Sequence, residues 1–147
     1  MIKVDTRSIR TLKVTIKEFN NNSVENIKRC VTKSTHQIER KAKINLTKNK
    51  SVKTGHLRRR LNSNIKNTGG KTTGEVSTNV FYAYFVEGGT KAHIIKAKRK
   101  KALYWQGAKH PVKSVKHPGS KAKPYLIPAF DEECPNFEKE IRKAVEL

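Results

Sequence analysis

Tyr82-Ala83-Tyr84-Phe85-Val86-Glu87-Gly88-Gly89-Thr90 divides the chain into two unlike parts. Its apolar run is stopped by two adjacent glycines. From Gly88 to Phe130 there follow 43 residues with no acid and eleven Lys or Arg. A sharply specified backbone turn is thus joined to a strongly positive surface. Periodicity does not decide whether Phe81 to Val86 continues a strand or forms a short buried helix, because nearly every position is apolar.

Upstream of this stretch, Thr68-Gly69-Gly70-Lys71 through Gly74 reads as a hairpin-like link, with Glu75 to Val80 as the returning strand. Its partner is expected over Leu57 to Ile65, where Leu57, Leu61 and Ile65 share one parity. The four-residue apolar step there also fits a helical turn. Further back, Val24, Ile27, Val31, Ile38, Ala42 and Leu46 form the stripe of a long helix over about Val24 to Thr47, with polar Thr35 interrupting it and Ser23 as N-cap. Ile9, Leu12, Ile16 and Phe19 predict an earlier helix, and Ile2 and Val4 a short strand before it.

Downstream, His93 to Ala97, Ala102 to Trp105 and Pro111 to Val115 read as three strands of a small basic meander. Lys98-Arg99-Lys100-Lys101 and Gln106-Gly107-Ala108-Lys109 are its turns. A final helix is expected from Pro128 or Ala129 to Ala144, with Pro128 in the first turn, where a missing N–H costs nothing. The fold class is therefore α+β: a long N-terminal helix, a twisted antiparallel sheet with a basic meander, and a C-terminal helix. The length of 147 residues predicts one domain over 1–147.

Net charge is +21, from 33 Lys and Arg against 12 Asp and Glu. Such an imbalance repels itself and calls for polyanions or acidic partner surfaces. Six of the acids fall in the last 17 residues, so an acidic end and a basic middle can pair within one molecule or between copies. No apolar run approaches the roughly 18 residues of a membrane span or resembles a signal peptide. These features predict a soluble protein with no membrane partner, and Cys30 and Cys134 are read as two buried or semi-buried thiols, with a disulfide between them as the alternative.

Catalysis is poorly served. Of the five histidines, His93, His110 and His117 lie in a region whose only nearby acid is Glu87, and no pair has zinc-site spacing. A hydrolase or nuclease built on those three is the remotest reading, and no cofactor is implied. Nucleic-acid binding fits better. Lys96, Lys98, Arg99, Lys100, Lys101, Lys109, Lys113 and Lys116 could neutralise phosphates, and Tyr104 or Trp105 could stack on bases. Without a base-reading motif, such contacts would be to backbone and independent of sequence.

Thr54-Gly55 and Gly88-Gly89-Thr90 are read as turns that set where strands start, with Gly55 and Gly89 at positive φ and the threonines bonded to nearby backbone. Glu87, isolated among cations, is a candidate partner for Arg58 or Arg59 across the sheet, with a solvated carboxylate as the alternative. Pro124 and Pro128 bracket Tyr125, Leu126 and Ile127. That segment would be held extended, either as a docking anchor or as a loop capping the core.

Three segments in order resemble one family. Val52-Lys53-Thr54-Gly55-His56-Leu57-Arg58, then Tyr82 through Thr90, then His117-Pro118-Gly119 with Lys123-Pro124-Tyr125-Leu126-Ile127-Pro128-Ala129 are together similar to the tail-component, or tail-completion and neck, proteins of long-tailed double-stranded DNA bacteriophages. Arg60 and Gly88 depart from the usual pattern. The resemblance implies a non-enzymatic virion subunit, made in the bacterial host cytoplasm, that assembles at the head-tail joint into a ring expected to be a hexamer. Its implied partners are further copies of itself, head-side connector or head-closure proteins, tail tube or terminator proteins, and the packaged DNA, touched non-specifically. The alternative function is a sequence-independent nucleic-acid-binding accessory protein.

Overall fold

A computed structural model describes residues 11–15, 21–97 and 101–145 of the chain. The elements run β1 (Thr11–Thr15), α1 (Asn21–Lys48), α2 (His56–Arg59), β2 (Leu61–Thr68), β3 (Lys71–Thr78), α3 (Ala83–Gly88), β4 (His93–Lys96), β5 (Ser114–His117) and α4 (Leu126–Val145). The layout is α+β, with two long helices, α1 and α4, and two small antiparallel sheets.

The stripe Ile27, Val31, Ile38, Ala42 and Leu46 lies buried along α1, which packs against α4, β2 and β3. Thr35 does not weaken this stripe. It is itself buried and bonds its Oγ1 to the Val31 carbonyl at 2.6 Å. The helix begins at Asn21, before the expected Ser23 cap, and Ser23 is buried within it. At its far end Lys50 takes a left-handed backbone, φ 50°, while Lys50 and Ser51 return their N–H groups to Thr47 and Leu46. This is the paired closure that satisfies the last carbonyls of a helix.

The larger sheet has the order β1-β3-β2. β2 and β3 are joined through Gly69-Gly70, both at positive φ, a two-residue turn whose twist matches the strands it links. The strands therefore extend to Thr68 and Lys71, into the segment expected as a link. Leu61, Val76 and Thr72 on one face are buried. Asn62, Asn64, Lys66, Thr73, Glu75 and Ser77 form the other face, with a Lys66–Glu75 ion pair at 3.6 Å.

Two expectations are corrected. The helix predicted from Ile9, Leu12, Ile16 and Phe19 is a strand over Thr11–Thr15, paired antiparallel with β3 so that Leu12 stands opposite Gly74. Leu12 and Val14 also fit a two-residue period, and the β-branched Thr11, Val14 and Thr15 suit the open edge of β3. Ile2, Val4, Ile9, Ile16 and Phe19 lie outside the described residues. The strand expected over Leu57 to Ile65 divides into one helical turn, α2, and then β2 from Leu61, so both readings of that segment hold in succession. The Phe81 to Val86 segment resolves into α3, with only Ala83 fully buried.

Between Thr90 and Ser120 the chain forms a two-stranded arm. At its root Thr90 and Ser120 exchange backbone hydrogen bonds of 2.9 and 3.0 Å. β4 and β5 then pair from His93↔His117 to Lys96↔Ser114, and Leu103 and Val112 close the far end with bonds of 2.8 and 3.0 Å. The piece expected as a middle strand, Ala102 to Trp105, contributes only that bridge. Beyond it the Ala108 N–H reaches the Trp105 carbonyl over Gly107 at φ 94°, a tight turn at the tip.

Candidate interaction surfaces: a basic arm and an apolar cavity

The arm is anchored where glycine is required. Gly89 has φ 71°, and a Cβ there would lie 2.6 Å from the Ser120 carbonyl oxygen and 2.7 Å from the Ala122 nitrogen. Gly119 opposes Thr90 in the same way. Thr90 adds its side chain: Oγ1 accepts the Ser120 N–H at 2.9 Å and lies 3.0 Å from the Ser120 hydroxyl. Gly88 ends α3 at a φ that is not positive and with open space beside it, so the turn resides in Gly89 alone. The other expected turn has Gly55 at φ 73°, with Thr54 Oγ1 accepting the His56 N–H at 3.4 Å.

Lys96, Lys101, Lys109, Lys113 and Lys116 are all exposed on the arm, whereas Lys98, Arg99 and Lys100 lie outside the described residues. The register puts Lys96, Lys116 and Ile94 on one face of the ribbon and Ile95, Val115, His93 and His117 on the other. The two imidazoles stack, ring centres 5.0 Å apart, with Nδ1 of His93 on the Lys91 carbonyl and Nδ1 of His117 accepting the Gly119 N–H. Tyr104 and Trp105 both stand exposed at the tip, rather than one of them entering a core.

The ion pairs of the described residues lie in the body. Lys41 binds the buried Glu133 at 2.9 Å and Glu132 at 3.1 Å, Lys33 binds Glu140, Lys43 binds Glu39, and Lys28 binds Glu25 at 3.6 Å. Ser34 adds its hydroxyl to Glu133 at 3.2 Å. Burial opposes the charge on Glu39, yet its bonds from Lys43 and Ser63 more than offset this and hold the carboxyl below its ordinary range. Bonding to Glu140 raises Lys33. The acidic C-terminal end thus pairs with α1. Among the described residues, no arm lysine is in an ion pair.

Glu87 departs from its expected role. Its Oε2 accepts the N–H groups of Tyr125 and Leu126 at 2.8 and 3.0 Å, and its Oε1 accepts that of Ile127 at 2.8 Å. The next residue, Pro128, has no N–H, so one carboxylate from α3 satisfies the opening donors of α4. The ion pair across the sheet is replaced by these bonds. Arg58 reaches Thr47 Oγ1 at 3.3 Å and Arg59 the Thr54 carbonyl at 3.1 Å. No local spacing reveals a cap supplied from 38 residues upstream; the isolation of Glu87 and the proline at the helix start are the only signals.

The same junction borders an apolar cavity of about 560 Å³. Leu61, Val76, Val80 and Tyr125 line it, and Phe81 and Tyr84 stand at its mouth, 84% and 65% exposed. Of the bracketed segment, Tyr125 and Leu126 are buried in the chain's own core, while Pro124, Ile127 and Pro128 face outward. Asn45 and Asn49 hold the carbonyls of Tyr125 and Pro124 at 3.1 and 2.7 Å. Burial, and then the nearby Glu87, push the Tyr125 phenol up to about 12.

Both cysteines are half-buried thiols, and burial followed by Glu140 raises that of Cys30. Among the described residues no group of three His, Cys, Asp or Glu side chains is placed to hold a metal ion, and no helix is long and apolar enough to cross a membrane. Neither the curated proteins nor the solved structures yield a match. Residues 10–89, which run through β1 and end at the glycine on which the arm is rooted, match the family described as Bacteriophage HK97-gp10, putative tail-component, and the chain belongs to that family.

Proposed function

We propose that this chain is a ring-forming subunit that completes the tail or joins it to the head, around the channel through which DNA passes. Membership in a phage tail-component family makes it a structural protein of the bacteriophage tail. The ring, the channel and the non-catalytic role are the proposal. One observation carries it: the arm's described lysines are exposed and free of described acids, while acids of the body pair with body lysines. Charge left open in this way needs an external polyanion or a neighbour's acidic surface. Lys96, Lys101, Lys109, Lys113 and Lys116, with Lys98, Arg99 and Lys100 in the same segment, are the residues that would meet it.

In this reading the chain acts as one domain, with further copies, head-side connector or closure proteins and tail tube or terminator proteins as neighbours. It assembles in the host cytoplasm and resides in the virion neck. Particles made without it should accumulate as heads and tails that do not join. Full infectivity in its absence overturns the proposal. Tight DNA binding by the free chain, falling steeply with salt, would instead make nucleic-acid binding its main task.

A further inference from the structure

Two apolar features remain uncovered, and each has what the other lacks. The first is the cavity behind Phe81 and Tyr84. The second is the arm tip, where Tyr104 and Trp105 are 68% and 48% exposed on the turn closed by Ala108. We propose that the arm tip of a second copy of this chain seats in the cavity, with Trp105 entering it and Tyr104 covering Phe81 and Tyr84.

Size, stability and charge favour that occupant. A volume of about 560 Å³ suits one large ring with a second at the rim. Aromatic side chains each bury about 150–250 Å² and dominate such contacts. An isolated two-stranded ribbon is marginal in water, and this one exposes Ile94 and Ile95 on opposite faces. Covering its tip with protein stabilises what pairing alone does not. The incoming arm carries no acidic residue, and the cavity adjoins the start of α4, where Glu132 lies on the exposed surface just over one turn beyond Ile127. Glu132 keeps 66% of its side chain exposed even beside Lys41.

The tip and the cavity of one molecule sit at opposite ends of the arm. Its root, Gly89 and Ser120, follows directly on Glu87 and Gly88 of the cavity wall. From there to the Leu103–Val112 bridge the shorter, returning strand from Val112 to Ser120, at a rise of about 3.3 Å per residue, allows up to about 26 Å. Tip-to-cavity contact is therefore between different surfaces of two copies, the head-to-tail kind that propagates around a ring. This inference rests on the ring reading and supplies its contact.

Trp105 is the only tryptophan, so its emission reports the seating directly. In the full chain at rising concentration, emission should move to shorter wavelength as oligomers form. Phe81→Lys with Tyr84→Lys, both at exposed positions, should remove the shift and weaken self-association by at least about tenfold. Copies carrying Tyr84→Cys mixed with copies carrying Gln106→Cys, an exposed tip position that leaves Trp105 in place, should form the mixed disulfide on oxidation, in the free chain and in tails. Lys66→Cys on the outer sheet face should not. Self-association without the shift, a shift that survives the double lysine variant, a shift induced by DNA alone, or no mixed disulfide in either setting overturns the seating. If head-tail joining still depends on the protein while that disulfide fails to form, the ring reading stands and only this seating falls.

Discussion

Thr35 of α1 occupies the space that a side chain on Gly74 of β3 would need. An ideal Cβ on Gly74 would lie 1.8 Å from Thr35 Oγ1 and 3.0 Å from its Cβ. Thr35 cannot swing away without breaking its bond to the Val31 carbonyl and disturbing the fully buried stripe around it. The polar break in the α1 stripe and the glycine in the strand are thus one feature, which sets how closely helix and sheet approach. Gly74→Ala should cost about 1–3 kcal/mol, the usual range for an overpacked core. Adding Thr35→Ala removes the 1.8 Å clash and leaves the tighter Cβ contact, so the double variant should recover part of that stability. Denaturant unfolding of the four proteins checks this, and equal stability of Gly74→Ala and wild type would refute it.

Glu87→Gln keeps the shape of the side chain but turns one of its two acceptors into a donor. Both carboxylate oxygens are used by backbone N–H groups, so at least one of these meets an amide nitrogen. The expected cost is about 1–3 kcal/mol, the range for a part-buried donor left unpaired. Amide hydrogen exchange should locate the effect, with faster exchange at Leu126 and Ile127 while the middle of α1 stays protected.

Tyr125 gives a pH signature. Its folded-state pKa of about 12 lies above the ordinary value of 10.0, so the folded chain holds the phenolic proton more tightly than the unfolded one. The stability this contributes is complete below pH 10 and disappears as pH rises toward about 12. In a phenolate absorbance titration, Tyr125 should give a late component near its raised value of about 12. Tyr125→Phe should remove the late component and flatten the alkaline fall in stability relative to wild type.

What the sequence makes legible follows from how local the cause is. The α1 stripe, the positive-φ glycines and the final helix are each set by residues within a turn or two, and they are readable. β1 is not, because Leu12 fits both the helical stripe with Ile9, Ile16 and Phe19 and a two-residue alternation with Val14, and only the free edge of β3, about 60 residues away in sequence, selects the strand. Glu87 is obscure for a related reason: its charge suggests an arginine partner, whereas the helix start it caps becomes its neighbour only on folding. The arm's basic composition is plain in the sequence, but whether its charges are already neutralised depends on where α4 lies against α1.

Lys50 takes a left-handed conformation at the end of α1, a position where a Cβ costs roughly 1 kcal/mol or more. Lys50→Gly should therefore raise stability by up to about 1 kcal/mol despite the greater freedom glycine gives the unfolded chain. A higher midpoint with an unchanged denaturant slope would establish it; a lower midpoint would show that the lysine makes a compensating interaction.

The arm's two faces predict which lysines meet a polyanion. Lys96 and Lys116 share a face with Ile94 and Ser114, all of them exposed. The opposite face carries the half-buried Val115 and His117. A duplex touches one face of a ribbon at a time, and removing one phosphate contact reduces the slope of log affinity against log salt by about 0.9. Lys96→Gln with Lys116→Gln should therefore lower the slope by about 2 on any DNA sequence. Lys43→Gln, whose charge is already engaged by Glu39, should leave it nearly unchanged. Equal effects from both variants would mean that DNA senses only the net charge. An unchanged slope with Lys96 and Lys116 replaced would assign that face to an acidic protein surface, since buried charge contacts between proteins alter dissociation more than salt response.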